Sequence, residues 1–357
     1  MPRVTVRCGR RRAERPGHPA AGRTRHVSRE GGPLPRARGP LSGAVLDALR
    51  GVPGHTSFAD IPVPTDAYGD DVQLTLYLSY ELSYRGFDDV DPEWEWDAGL
   101  LGLRGALERR FLRALREDAP RHDDVASALD ELLVEPIDAA GVSHFLRDDG
   151  EWWHMREYAA HRSIYHLKEA DPYAWVIPRI DGQAKAALVA VEYDEFGGGR
   201  GERVHSRLFA DLMDGMGLDH TYGGYLDTAP AQMLAIVNVI SLFGLHRSLR
   251  GALVGHFATV EITSGPAARR LVQALERLAA HPACLHYYTE HIEADAVHEQ
   301  VLRHDVIADL VRHEPHLASD VVFGIGAATL TEDRFADYTL TAWRAGRTSM
   351  RETLPAP

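Results

Sequence analysis

In the stretch HIEADAVHEQ, residues 291–300, His291, Asp295 and His298 share one stripe of any helix that carries them. At about 100° per residue the three fall within an arc of roughly 60°, so two imidazoles and a carboxylate converge on one point. Two readings fit that arrangement. It is half of a metal site, or it is an amphipathic helix whose histidines find ordinary partners.

A second group lies about a hundred residues upstream, in VEYDEFGGGRGERVHSRLF. Glu202 and His205 form an E-x2-H pair, the i, i+3 spacing that aims both side chains into a bundle. Glu195, seven residues before Glu202, continues the same stripe. On one unbroken helix Glu195 and His205 would stand about 15 Å apart, too far for two metals held about 3.5–4 Å apart. The GGGRG run between them either distorts the helix, each glycine costing about 1 kcal/mol against alanine, or is a plain loop between two helices. Glu202, beside that run, is the expected catalytic and most mobile ligand. A third piece, YHLKEADPYAW, brings Glu169 to the end of an amphipathic helix. It can serve as a ligand, or simply as an acid at a helix end that pairs with His166.

Together Glu169, Glu195, Glu202 and Asp295 supply four carboxylates, and His205, His291 and His298 supply three imidazoles. Carboxylates about 4 Å apart repel by roughly 4 kcal/mol per pair at an effective dielectric near 20, so such a cluster needs cations or protons in order to fold. Two divalent ions balance four carboxylates. Mixed oxygen and nitrogen donors suit iron or manganese. Around them, His161 and His166 are candidate partners of Glu169, and Tyr287 and Tyr288 of His291. His246, His256 and Glu261 on a long apolar helix are expected to border a substrate pocket. Trp152, Trp153 and Trp175 read as packing. No glycine-rich phosphate loop with its lysine is present.

The elements that must position these residues are helical. Leu74, Tyr77, Leu78, Leu82 and Tyr84 predict a helix over 71–87, and Leu100, Leu103, Leu107 and Leu112 one over 96–117. These, with shorter segments, make an N-terminal helical layer over 41–150. FLRDDGEWW (145–153) reads as a break. Beyond it, long segments such as APAQMLAIVNVISLFGLHRSLRGALVGHFATVEIT are too apolar all round to be surface helices. They predict an all-α bundle of about seven helices over 151–346 and a C-terminal tail over 347–357.

Composition narrows the function. With 357 residues and only Cys8 and Cys284, a disulfide framework and a thiolate-held zinc or iron–sulfur centre are excluded. No apolar run reaches the roughly 18–20 residues of a membrane span, and no apolar leader region is apparent, which points to the cytoplasm and away from membranes. Residues 1–40 hold 11 arginines against Glu14 and Glu30, leaving 28 basic and 50 acidic residues in the remainder. That acidic body disfavours nucleic acid as a partner. The basic segment is expected to be disordered. It reads as a leader, as a product of too early a start, or as an arm for an anionic surface.

The full pattern of Glu169, E-x6-E-x2-H and H-x3-D-x2-H resembles the haem-oxygenase-like di-iron oxidases and oxygenases, the iron-containing redox enzymes. The resemblance covers roughly residues 150–346 and is carried by HRSIYHLKEADPYAW, FGLHRSLRGALVGHFA and HIEADAVHEQ. It implies a seven-helix haem-oxygenase-like fold with two Fe(II) ions at the seven positions above, or an Mn/Fe pair, and dioxygen as co-substrate. It also implies a small amino-acid-, amine- or fatty-acid-like substrate. An external electron donor and a homodimer are compatible partners. The rival expectations are an iron-handling bundle without turnover, and a haem or cofactor-free enzyme on the same fold.

Overall fold

A computed structural model describes residues 31–59, 61–136 and 139–355. Among these residues the chain is all-α, as the apolar periodicity predicts. There is no β-strand, only an isolated bridge between Gly32 and Phe87. The expectation of a disordered basic tail lies outside the described residues as far as residue 30. Residues 31–39 are an extended strap against the body, because the Arg38 guanidinium donates to the carbonyls of Leu226 and Ala229, both at 2.7 Å.

The N-terminal helices are α1 (Pro40–Leu49), α2 (Asp70–Glu81), α3 (Ala98–Asp118), α4 (Val125–Leu133) and α5 (Val142–Asp148). Asp71 of α2 accepts the free amides of Leu41 and Ser42 at the start of α1, which ties the two helices end to side. The helix predicted over 71–87 stops at Glu81 and turns through Gly86, whose φ of 67° suits glycine. Its apolar face packs on α9, so the layer shares one apolar core with the bundle.

The remaining helices are α6 (Trp152–His166), α7 (Gly182–Glu195), α8 (His205–Gly215), α9 (Ala231–Leu245), α10 (Arg250–Arg277), α11 (Pro282–Gln300), α12 (Ala308–His313) and α13 (Ala318–Arg344). The apolar stretch 229–263 is two helices, α9 and α10, which meet at 108° across His246. Helix α10 then runs on through Pro266, and no single helix among the described residues is long and apolar enough to cross a membrane. Helices α10 and α13 approach closely. A Cβ on Gly255 would stand 2.1 Å from the Val321 carbonyl, and one on Gly324 2.0 Å from that of Ala252. That crossing fixes the centre of the bundle, and α11 packs along the opposite side of α10.

Two polar clamps set the flanks. Lys168, fully buried, donates to Glu81 at 2.6 Å, and Tyr222 Oη donates to the other oxygen of Glu81 at 2.6 Å. The layer thus grips the residue next to Glu169. At the other end, Glu157 accepts from Trp343 Nε1, Ser349 N and Ser349 Oγ at 2.8–2.9 Å. The segment expected as a C-terminal tail is therefore docked as far as residue 355, where Arg156 holds the Pro355 carbonyl.

Candidate metal centre

Four elements bring acids and imidazoles together. Glu169 sits in the turn after α6, Glu195 at the last residue of α7, and His205 at the first of α8. His291, Asp295 and His298 line one face of α11, all buried, as the helical spacing requires. Ligand atoms of Glu169, Glu195, His205 and His291 lie within 4.8 Å of one another. A second group within the same limit joins Glu195, Glu261 and His298. Glu195 belongs to both, one oxygen 2.8 Å from His205 Nδ1 and the other 3.6 Å from His298 Nδ1.

The glycine run is what allows this. Gly197, Gly198 and Gly199 all have positive φ, and a Cβ on Gly197 would meet the Arg203 backbone at 2.7 Å. The chain therefore folds back on itself instead of climbing a helix, and His205 returns to Glu195. Of the two readings of GGGRG, the loop is the observed one. It also decides Glu202. Residues 201–203 form a short turn separated from α8 by extended Val204, so the i, i+3 relation to His205 is absent. Glu202 is exposed and stands outside both groups.

The carboxylate that stands at the second group is Glu261, on α10, 3.0 Å from His298 Nδ1. Sequence reasoning placed it at a pocket border. The available signal was a lone carboxylate in VGHFATVEIT, a mostly apolar stretch with no lysine or arginine to balance it, where an unpaired charge is costly. Asp295 is buried beside this group. Its oxygen accepts from Ser264 Oγ at 2.7 Å and lies beyond the 4.8 Å clusters.

Supporting bonds orient the ligands. Tyr287 Oη donates to Glu169 at 2.8 Å, and His166 Nδ1 is 2.7 Å from the same carboxylate. His291 Nδ1 donates to the Tyr287 carbonyl at 2.8 Å, which leaves Nε2 facing the cluster. The other expected partners divide. His161 pairs with Ser349, His246 with Glu108 outside the cavity, and His256 with Tyr173 at the cavity wall.

Electrostatics show what the cluster demands. Burial disfavours charge on His291, yet Glu169 beside it raises the imidazole to about 10. Burial likewise opposes protonation of His298, and Glu261 raises it to about 9. Burial, with Glu261 nearby, pushes Asp295 up to about 7. The imidazoles thus balance the acids by holding protons, the positive charge that a divalent ion would supply. His205 Nδ1 and His291 Nε2 are buried without a hydrogen-bond partner, and both face carboxylates. Buried, unpartnered nitrogens beside carboxylates are the donor set that suits a first-row divalent metal. The donor chemistry of each group fits such an ion, and Glu195 is common to the two groups.

A cavity of about 700 Å³ opens onto Glu169, His291 and Glu261. Its walls are largely apolar, including Ile236, Ile240, Phe257 and Phe335, and the bidentate Arg162–Glu332 pair (2.6 and 2.7 Å) forms part of its polar lining.

A helical bundle that gathers carboxylates and histidines from facing helices around one shared acid has the architecture of the carboxylate-rich non-haem metalloproteins. Residues 156–333 match the family model described as iron-containing redox enzyme, and the chain belongs to that family through this segment. It is also 27% identical over 160 residues to a nitrosourea synthase of Streptomyces achromogenes subsp. streptozoticus. That match covers 44% of this chain and 34% of the relative, so the chain spans about a third of that protein's length.

Proposed function

We propose that the chain is an O2-dependent non-haem di-iron oxidase or oxygenase acting on a small organic substrate held in the 700 Å³ cavity. The observation that carries the reading is the pair of buried ligand groups sharing Glu195. Glu169, His205 and His291 would hold one iron and Glu261 and His298 the other, with Glu195 common to both groups and Asp295 buried beside the second. Four acids balance two Fe(II) ions, and the bound pair supplies the electrons that dioxygen accepts.

The chain's own residues do the rest. Tyr287 and His166 fix the Glu169 carboxylate, and the Tyr287 hydroxyl holds a proton at Oη beside the centre. Apolar walls exclude water from the face that the substrate occupies. Family membership supports iron and redox chemistry. The nitrosourea synthase likeness supports an organic nitrogen compound as one substrate class to assay, and re-reduction would come from an external donor.

Anaerobic titration of the full chain with Fe(II), followed by exposure to O2, tests this. The expected result is two irons per chain, rapid O2 consumption and a transient visible band. One iron or none, a Soret band from bound haem, or two irons with no O2 uptake, would overturn it.

A further inference from the structure

The two metal positions are built unequally, and the difference lies in what holds each histidine. A neutral imidazole has one donor and one acceptor nitrogen, so the partner of one nitrogen decides whether the other presents a lone pair. At the first position that partner is internal, the Tyr287 carbonyl on His291 Nδ1 at 2.8 Å. At the second it is not. His298 Nδ1 faces Glu261 at 3.0 Å and Glu195 at 3.6 Å, whereas Nε2 faces Asp194 Oδ2 at 3.3 Å. Asp194 is exposed, its side chain 62% accessible, against 3% for His298.

Metal binding leaves this ring one proton, and the carboxylates on either side compete for it. A proton on Nε2, donated to Asp194, leaves the Nδ1 lone pair directed at Glu195 and Glu261. A proton on Nδ1, donated to Glu261, blocks that lone pair and occupies the Glu261 oxygen as well. We propose that Asp194 is the positioning residue of the second metal site, holding His298 in the Nε2–H tautomer from the solvent edge so that Nδ1 is the ligating atom. The inference rests on the dinuclear reading above. It adds that the second ion is the more weakly held and that an exposed side chain, itself not a ligand, sets its affinity.

A carboxylate of this kind typically changes metal affinity by about 10–100-fold. Asp194 lies in the last turn of α7, where a negative charge opposes the helix dipole, so its removal does not threaten the fold.

The experiment is anaerobic Fe(II) titration of full-length wild type, Asp194→Ala, Asp194→Asn and Asp181→Asn, read as stoichiometry and stepwise affinity. Nitrogen-15 histidine spectra of the metal-free chains at about pH 10, above the raised His298 value where the ring is neutral, report the ring tautomers. In Asp194→Ala the first ion should bind as in wild type, the second about 10–100-fold more weakly, and the His298 signal should shift toward Nδ1–H. Asp194→Asn, which keeps an acceptor oxygen, should restore most of the affinity. Asp181→Asn removes an exposed charge from the other end of α7 without touching a histidine and should change nothing. Unaltered binding in Asp194→Ala, equal weakening of both ions, or identical losses in the Asp194→Asn, Asp194→Ala and Asp181→Asn variants would overturn the proposal. A wild-type chain that takes up fewer than two ions would instead overturn the dinuclear reading.

Discussion

Replacing Glu261 by glutamine separates the two metal positions, because Glu261 belongs to the group of Glu195 and His298 and not to that of Glu169, His205 and His291. The variant keeps the shape of the side chain and removes one negative charge. At about 4 Å and an effective dielectric near 20, one unit charge pair is worth about 4 kcal/mol, and a divalent ion doubles that. The amide oxygen returns part of the loss as a neutral ligand, so the single-charge figure is the floor. About 4 kcal/mol corresponds to roughly three decades in affinity. Glu261→Gln should therefore retain one tightly bound Fe(II) per chain and lose the second at micromolar metal. Equilibrium dialysis with metal analysis measures this, and circular dichroism checks that the helical fold is kept. Two ions bound as in wild type would show that Glu261 is not a ligand. Loss of both ions from a folded chain would show that the two groups do not act as separate positions.

Tyr287→Phe keeps the ring in the core and removes the hydroxyl on Glu169. Metal affinity at the first position should fall about 10–100-fold, read in the same titration, with the second position little changed. Lys168→Met leaves the Glu81 carboxylate buried and without its 2.6 Å cation. Breaking such a pair costs about 3–5 kcal/mol, so the melting temperature should drop by roughly 4–7 °C for a chain this size, measured by calorimetry. His161 and His256 are fully buried, and burial depresses them to about 3 and about 4. They stay neutral in the folded chain while the unfolded chain protonates them near 6.5. Their contribution is therefore present above pH 6.5 and lost progressively as pH falls below it, by about 2 kcal/mol for each histidine at pH 5. Asp295, His291 and His298, all raised in the metal-free chain, act in the opposite sense over the same range. The measurement is therefore the difference between wild type and His161→Phe in denaturant unfolding at pH 7 and pH 5, and wild type should lose about 2 kcal/mol more than the variant.

The helical architecture was legible because burial imposes a period on the sequence. Leu100, Leu103, Leu107 and Phe111 are buried along α3 as their spacing demands. Segment ends were less legible where tertiary contacts decide them. Nothing local in GLHRSL marks the 108° corner between α9 and α10. Residues 347–355 have no periodic pattern, yet Glu157 collects Trp343 and Ser349 and seals them against α6. The strap at 31–39 is likewise held by tertiary contacts, Arg38 reaching two carbonyls and Arg36 pairing with Asp227 and Glu352, in residues that composition alone reads as part of a basic tail.

The centre divides along the same line. His291, Asp295 and His298 could be read together because one helix carries all three, and an α-helix converts spacing into direction without help from the rest of the molecule. Glu202 and Glu261 could not be read that way. An i, i+3 pair means convergence only if the backbone between the two residues is helical, and four glycines within five residues ended the helix before Glu202 could use it. Glu261 has no motif partner nearby, and its correct reading came from cost. A carboxylate on the buried face of α10 must be balanced there, and His298 is the group that balances it at 3.0 Å. The same argument bears on the pocket wall. Glu332 is only partly buried and is matched by the two-point Arg162 fork, so it calls for no ion. Buried acids in this fold are thus sorted by their partners. Those matched by arginine or lysine hold the structure together, and those facing only histidine and one another are the ones that call for metal.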